Sequence, residues 1–434
     1  MGMEQFFSLR GILITVLMIV SFAAILIRPK VGVALILALT LLRDGFLYIW
    51  FQPIYDLHLP QVLIYLTLIA WLFHLKEYPL RFNKDIALVF GFFMVICATR
   101  FFSGTPIWDH PVANESLRIA IVFFLIVQLM RTTNDIRTML WIFVGIFLFL
   151  ELRAYYFYKT DFMEIALPNY RYVNRNGFAN HLALMLPIAY MLGNNNKNKS
   201  LRYFGLFSAL WCGIGVILTY SRSGFIGLAA GIAGILFLQK RKTKLIIALV
   251  VLALLILPRL SEKYTNRIDT IENYEEDVSA MGRVATNYAA INMFKQNPIM
   301  GVGAGNFNNV FLAYTPPEYL KWVEEGKSIH NIMLQVASET GLLGLAFFLP
   351  LVFCGFKNSL IKIRGYDPDE PEIQNIAQML RLALFVTFLT SQFGQGGYYG
   401  NLYTILPFLS ALHQNISEQN RPQTTKRRQN VRRA

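Results

Sequence analysis

The sequence contains few charged residues and few cysteines, and both shortages limit the kind of protein that it encodes. Only 15% of its 434 residues are Asp, Glu, Lys or Arg, whereas 55% are hydrophobic and 14% aromatic. A soluble domain has about 25% charged residues, so this composition excludes a water-soluble fold. The three cysteines lie inside apolar segments, without the spacing of metal ligands or the pattern of a disulfide framework. They are Cys97, Cys212 and Cys354.

The chain also lacks the motifs of several enzyme and transporter classes. It has no cluster of His and carboxylates and no P-loop, and its one Asp-X-Asp sequence, Asp367-Pro368-Asp369, follows the basic residues Lys362 and Arg364 in a connector of the cytoplasmic type. Metal-dependent glycosyl transfer and ATP-driven transport therefore lack their usual residues, and we expect neither a metal nor another cofactor. The net charge of +14 does not indicate nucleic-acid binding, because Lys and Arg lie in short connectors between apolar segments, as in membrane proteins.

Apolar segments near 20 residues long are present instead, and this length spans a hydrocarbon layer of about 30 Å. The pattern predicts an all-α polytopic membrane protein surrounded by lipid, with about 12 transmembrane helices, or 13 if both short segments around Arg28-Pro29 cross. The orientation of the N-terminus follows from that number and stays open. The predicted spans are residues 11–27, 31–50, 59–75, 85–102, 117–130, 136–152, 177–192, 201–219, 223–239, 244–257, 331–356, 377–393 and 400–413.

The basic connectors predict the orientation of the membrane domain. Residues 240–244 hold four cations and should be cytoplasmic, whereas residues 103–116 contain no Lys or Arg and should be external. This alternation makes residues 258–329 one large external loop. We therefore predict a single membrane domain over residues 1–413, followed by a basic cytoplasmic tail over residues 414–434.

The external loop has too few apolar residues for a separate core and is predicted to be a cap with short helices. Its clearest helix runs from Gly282 to Gln296, with Val284, Tyr288 and Ile291 at helical spacing, and Asn297-Pro298 ends it. The glycine-rich run that follows, residues 297–307, comes after a helix rather than a strand, so dinucleotide binding is disfavoured. A tight turn close to the membrane surface is the favoured interpretation.

Two arginines lie where an anion would explain them. Arg222 is in a short external connector, where Ser221 or Ser223 can cap the next helix. The positive charge of Arg222 is unfavourable beside the positive end of the helix dipole unless an anion binds there. A snorkelling Arg is the alternative. Arg283 should begin the external helix after Gly282, and a solvated surface Arg is the alternative there. The free N–H groups and the guanidinium of Arg222 could together bind a phosphate, whereas for Arg283 taken alone the surface role is the favoured interpretation.

Two histidines and their neighbours are further candidates at the external boundary. His330 begins a short predicted helix over residues 330–340, and the span itself is predicted to start near Gly341. His330 is a candidate proton acceptor with an ordinary pKa near 6.5. A structural His is the alternative. Arg175, Asn176 and His181 stand at the external start of another span and are candidates for lining a sugar path.

Taken in order, these motifs resemble the O-antigen ligase and polymerase superfamily of bacterial membrane glycosyltransferases. The matching pieces are Tyr-Ser-Arg222-Ser-Gly, Gly-Arg283, the glycine-rich run, and His330-Asn followed by Glu-Thr-Gly-Leu-Leu-Gly. The resemblance covers about residues 170–390. It implies a helical membrane fold of the class-C glycosyltransferase kind in the inner membrane, with the external loop in the periplasm.

The resemblance also implies a reaction. A glycan would pass from undecaprenyl pyrophosphate to an acceptor hydroxyl at the periplasmic face, without metal and with inversion. Arg222 and Arg283 would bind the donor pyrophosphate, and His330 would act at the acceptor. The preferred acceptor is lipid A-core oligosaccharide; a growing O-antigen polymer or a protein are alternatives. From another class, a lipid or polysaccharide transporter without bond chemistry remains open.

Overall fold

The computed structural model describes residues 8–42, 58–108, 111–160, 175–239, 242–243, 246, 278–323, 329–362, 370–394, 398 and 400–420. Within these ranges the chain is helical and contains no β-strand, which confirms the predicted all-α class. The α-helices are α1 Leu9–Ile27, α2 Pro29–Leu42, α3 Leu59–Phe73, α4 Lys84–Phe102, α5 Pro111–Leu129, α6 Thr133–Thr160, α7 Arg175–Asn194, α8 Lys199–Leu218, α9 Arg222–Leu238, α10 Val278–Gln296, α11 Phe307–Tyr314, α12 Ile332–Asn358, α13 Glu370–Thr390 and α14 Leu402–Gln419. Two 3-10 helices, Pro317–Trp322 and Ser391–Phe393, complete the described structure.

Several helices are long and apolar enough to cross a membrane, so the chain is a membrane protein. Five meet that criterion by length and composition: α4, α5, α8, α12, and α13 with its 3-10 extension. Shorter apolar stretches form α1, α2, α3 and α9. Each predicted span coincides with a helix over its described residues, except 244–257, which lies almost wholly outside the described residues. The number of 12 or 13 spans stays a prediction.

One large buried cluster of apolar side chains runs through the membrane helices, with α7 packed against α8, α9 and α13. The α7–α8 contact is close because Gly193 and Gly205 face each other: a Cβ on Gly205 would lie 2.7 Å from the Cα of Gly193. Small residues at such crossings let helix backbones approach, as is common in membrane proteins. This packing fixes the position of the first turn of α7 relative to that of α9.

Polar side chains join the helix ends at one side of the bundle. Arg81 donates to Asn415 Oδ1 at 2.7 Å and forms an ion pair with Glu418, while Asn415 Nδ2 donates to the Met130 carbonyl at 3.1 Å. These contacts hold the last turns of α14, which therefore continues to Gln419. The predicted span ended at residue 413, and the predicted tail began within what is a helix.

The cap has a small core of its own, so the prediction that it lacks one is wrong. Helices α10 and α11, the glycine-rich turn and the start of α12 enclose a second apolar cluster, separate from that of the membrane helices. Its buried members are Ala289, Ala290, Met293, Val302, Phe307, Phe311 and Ile329.

The buried face of α10 also differs from the predicted one. Tyr288, expected on that face, is exposed and stacks on Tyr319 with ring centroids 4.9 Å apart. Alanines and Met293 are buried in its place, because small side chains allow the helix to approach its neighbours closely. A rule based on large apolar residues therefore selected the wrong side.

The orientation predicted from charge is tested by labelling a single cysteine after replacement of the three native ones. Leu312→Cys lies on an exposed position of the cap and Lys242→Cys on an exposed position of the basic connector. We expect a membrane-impermeant maleimide, added to intact spheroplasts, to label the cysteine at 312 and not that at 242. Labelling of 242 alone would place the cap in the cytoplasm and reverse the topology.

Candidate functional site

Arg222 is the first residue of α9, at the helix end where the sequence predicted an anion site. Ser221 is the N-cap, as predicted, and its Oγ accepts a hydrogen bond from the Gly224 N–H at 3.2 Å. Tyr220 adopts a left-handed backbone conformation with φ 53°, which allows α8 to turn directly into α9. The Arg222 side chain is exposed, so an anion can reach it.

Arg283 is not at a helix N-terminus, which corrects the sequence prediction. Helix α10 already includes Val278, so Arg283 lies in its second turn and does not oppose the dipole at the helix start. Its side chain is half-buried. The charge of Arg283 acts on His330, whose pKa it helps to lower.

His330 lies immediately before α12 and is half-buried. Asn331 caps the helix, with Oδ1 accepting from the Met333 N–H at 2.9 Å and the Leu334 N–H at 3.0 Å, which fixes the backbone beside His330. Burial, and then the positive charge of Arg283, lower the pKa of His330 to about 4. The expected ordinary value near 6.5 is thus wrong for the folded protein, and the imidazole is neutral at pH 7.

Helix α12 is broken at Gly341, as the predicted division between a short helix and the span required. Gly341 has φ 63° and ψ −157°, which no α-helix contains. The glycine-rich turn supplies partners for the interrupted backbone. Leu342 N–H donates to the Pro298 carbonyl at 2.8 Å and Leu343 N–H to the Ile299 carbonyl at 3.1 Å.

The same turn donates hydrogen bonds in the other direction. Val302 N–H bonds the Ser338 carbonyl at 2.9 Å, and Gly303 N–H bonds the Glu339 carbonyl at 3.0 Å. Glycine is required on both sides: Gly301 has φ 65°, and a Cβ there would clash with the backbone of Glu339. The predicted tight turn is therefore confirmed, and its contact is with the broken helix.

Arg100 holds the other side of the glycine-rich turn. This buried side chain, at the end of α4, donates from Nη1 to the Ala304 carbonyl at 2.6 Å and from Nη2 to the Pro106 carbonyl at 2.7 Å. A Cβ on Gly303 would collide with Ser103, so the turn is wedged against the end of α4. The turn thus lies between α4 and the break in α12.

Glu339 links the broken helix to α11. Its side chain is 2% exposed, and Oε1 accepts a hydrogen bond from the Phe307 N–H at 3.0 Å. This carboxylate takes the place of a side-chain cap, because Asn306 at the N-cap position of α11 makes no such bond. The sequence placed Glu339 at the membrane interface; it lies inside the protein, against the cap.

The three candidates at the start of α7 lie close to the start of α9. A Cβ on Gly224 would lie 2.5 Å from the Cβ of Ala179, so the first turns of α7 and α9 touch. His181 Nδ1 donates a hydrogen bond to the Gly177 carbonyl at 2.7 Å, because a carbonyl can only accept, and the imidazole ring stacks on Phe147. These contacts fit a structural role for His181. Its part in a sugar path, with Arg175 and Asn176, stays a prediction.

The structure therefore brings the sequence candidates together in two groups at one end of the bundle. Arg283 and His330 form one, on the cap, and Arg222 with the start of α7 forms the other, on the membrane helices. Convergence of Arg222 and Arg283 on one anion stays a prediction.

Sequence reasoning missed Arg100, and it missed Glu151 on α6. Arg100 was treated as the end of a span, although an Arg at that depth on the external side was a signal. Glu151 is 1% exposed, and its carboxyl group lies beside Cys212 and Gly215 of α8. An acidic residue inside an apolar segment was the signal there.

The close contact at Gly341 predicts a stability effect. Gly341→Ala strains a residue in the left-handed region and drives a Cβ into the Ile299 carbonyl. We expect the free energy of unfolding to fall by about 1–3 kcal/mol or more, and the melting temperature in detergent to fall with it. Gly145→Ala, inside α6 with open space around it, is the matched control and should be neutral or stabilising by up to about 1 kcal/mol. Equal melting of both variants would contradict the tight contact.

Comparison with known proteins supports the resemblance. Residues 207–349 match the protein family described as O-antigen ligase. The match runs from within α8 into α12 and contains Arg222, Arg283, the glycine-rich turn and His330. No curated protein sequence matches the chain significantly. Residues 207–349 are thus similar to the O-antigen ligase family, and this part of the chain holds the motifs that carry the sequence resemblance.

Proposed function

We propose that the protein is an O-antigen ligase that transfers a glycan from undecaprenyl pyrophosphate to a hydroxyl of lipid A-core oligosaccharide at the periplasmic face. The observation that carries this proposal is the pairing of Arg283 with a half-buried, neutral His330 inside the matched region. A cation beside a neutral imidazole suits a site where a pyrophosphate leaves while a hydroxyl loses its proton.

The donor pyrophosphate is assigned to the two arginines. Arg222 offers a guanidinium at a helix N-terminus, where the unpaired N–H groups of the first turn add about half a positive charge. Arg283 offers a second guanidinium from the cap. Negative charge grows on the pyrophosphate as it leaves, so fixed cations stabilise the transition state more than the bound donor.

The acceptor hydroxyl is assigned to His330. Its oxygen attacks the anomeric carbon, a new C–O bond forms, and the bond from that carbon to the pyrophosphate oxygen breaks. The hydroxyl proton goes to His330 and then to water, and a single displacement inverts the anomeric configuration. Removal of that proton by a positioned base contributes about 10²–10⁴-fold. No metal takes part in this scheme.

Donor binding should strengthen the base. Arg283 lowers the pKa of His330 in the free protein, and a bound pyrophosphate would offset part of that positive charge. His330 would then become a better proton acceptor when the donor is in place. This order limits proton removal to the loaded enzyme.

The direct test supplies purified protein in detergent with a lipid pyrophosphate-linked glycan and separate acceptors, in the presence of a chelator. We expect glycan to appear on lipid A-core oligosaccharide. Transfer to a second donor glycan or to a protein instead would assign polymerase or protein-glycosylation activity. Transport of the donor across proteoliposomes without transfer to any acceptor would favour the transporter class.

Substitution of the arginines tests the donor site. Arg222→Ala and Arg283→Ala should each weaken transfer strongly, since a charge-assisted contact is worth about 1.5–3 kcal/mol, or roughly 10- to 100-fold. Arg→Lys keeps the charge but loses the bidentate fork and should give an intermediate loss. Arg202→Ala, an exposed cation at the opposite end of α8, is the matched control. Activity of both Ala variants equal to that of the control, at matched expression, would reduce these arginines to helix anchors.

Substitution of His330 tests the base. His330→Ala and His330→Gln should both abolish transfer while leaving donor binding near normal, because an amide cannot accept the proton at neutral pH. His74→Gln, where the His74 Nδ1 bonds its own helix, is the control. For the unaltered protein, kcat/KM should stay level as pH falls from about 8 to about 5. It should drop near pH 4, because His330, with a pKa of about 4, becomes protonated there and can no longer accept a proton.

Two results would contradict the assignment of the base. An active Gln variant would leave His330 a positioning role. An acid limb near the ordinary histidine value of about 6.5 would mean that the burial and the charge of Arg283 do not act on the catalytic group.

A further inference from the structure

The active groups of the cap stand on two helices that are joined at their far ends. Helix α10 runs from Arg283 to the glycine-rich turn, and the first part of α12 runs from beside His330 to the break at Gly341. At 1.5 Å per residue these stretches are about 20 Å and 16 Å long. The two helices pack on each other, the turn bonds the break, and Arg283 lies near His330 at the other end. The pair is therefore parallel and clamped at one end.

Glu339 is the side chain at that clamp. Its carbonyl accepts from the Gly303 N–H and its carboxylate accepts from the Phe307 N–H, so one residue binds both the turn and the helix after it. Asn306, at the N-cap position of α11, makes no side-chain cap bond of its own. Arg100 holds the turn from the opposite side through the Ala304 carbonyl. Movement of the turn is thus blocked by Glu339 from α12 and by Arg100 from α4.

We infer that Glu339, supported by Arg100, is a positioning residue that sets the register of Arg283 relative to His330. The inference rests on the proposed function for its effect on catalysis. It does not act on substrate: Glu339 is buried and bonded to backbone, about 14 Å along the helix from His330. A shift of the turn along α12 would move α10, and hence Arg283, relative to the base.

The chemistry of the contact predicts which substitutions matter. Glu339→Gln keeps an oxygen that can accept from the Phe307 N–H, whereas Glu339→Ala leaves that buried donor without a partner. Arg100→Lys keeps the charge but cannot reach the Ala304 and Pro106 carbonyls with the same fork. A displacement of about 1 Å near reacting groups can lower a rate by about 10²-fold. We expect Glu339→Ala and Arg100→Lys to shift Arg283 relative to His330. Glu339→Gln should preserve their arrangement.

The experiment measures kcat per folded molecule and the pKa of His330 in the same variants. For Glu339→Ala we expect kcat to fall by roughly 10- to 100-fold with donor KM changed less, because Arg222 still holds the donor. Glu339→Gln should restore kcat to within about threefold of the unaltered protein. Arg100→Lys should change kcat and donor KM in the same direction as Glu339→Ala. It provides the test if the Glu339→Ala variant does not fold.

The pKa of His330 is followed by NMR of labelled histidine and needs no turnover. Among the groups that the structure describes around His330, Arg283 on α10 is the one whose charge acts on it. Loosening of the clamp should therefore raise the His330 pKa from about 4 toward the ordinary value of about 6.5. Glu339→Gln should leave it unchanged.

Gln128→Ala is the matched control for a merely structural loss. Gln128 is buried at the opposite end of the bundle, where it accepts from the Arg81 N–H at 2.8 Å and donates to the Arg81 carbonyl at 2.7 Å. This variant should lower the melting temperature and leave kcat and the His330 pKa unchanged. The inference would be overturned by an unchanged kcat and an unchanged His330 pKa in Glu339→Ala. It would also be overturned if Gln128→Ala lowered kcat and raised the His330 pKa as much as Glu339→Ala does. Absence of transfer by the unaltered protein, with a His330 pKa that still moves in Glu339→Ala, would reject the proposed function and retain the clamp.

Discussion

The structure of the site depends on the exchange of backbone hydrogen bonds between a broken helix and a glycine-rich turn. A break in α12 leaves N–H and carbonyl groups without helical partners, and each such group left buried and unpaired costs about 1–3 kcal/mol. The turn meets this demand: it accepts from Leu342 and Leu343 and donates to the carbonyls of Ser338 and Glu339. Neither conformation is stable without the other, because each supplies what the other lacks. The cap and the membrane domain are therefore joined through backbone rather than through side chains alone.

Because of this junction, the position of Arg222 and the positions of Arg283 and His330 are fixed by different parts of the structure. Arg222 is held by a short connector between membrane helices, with Ser221 capping the helix that it begins, so its position depends on the bundle alone. Arg283 and His330 depend on the junction, because both stand on helices that end there. The half-burial of His330 comes from the same packing, and its pKa of about 4 reports that the imidazole is shielded and faces a cation. An imidazole in open solvent would show neither effect.

The sequence predicted the features that depend on local composition. Apolar length located the helices, alternate glycines predicted the tight turn, and Gly341 marked the start of the span. It failed where a property depends on which neighbours meet: the buried face of α10 is set by alanines, which carry little apolar signal, and Arg283 lies within its helix rather than at the start. The pKa of His330 could not be predicted, since burial and the approach of Arg283 are tertiary effects.

Glu339 shows most clearly what sequence reasoning cannot reach. A carboxylate beside an apolar segment is expected to face water, because burial of a charge costs several kcal/mol unless partners compensate. The partner here is a backbone N–H from a residue 32 positions earlier, and it is available only after the turn has brought α11 against the broken helix. The unfavourable burial of Glu339 and the unsatisfied start of α11 therefore compensate each other. A buried polar residue whose partner is a helix end specifies one arrangement of the two elements, since any other register leaves both groups unpaired. Under the proposed function, that register also sets the separation between Arg283 and His330.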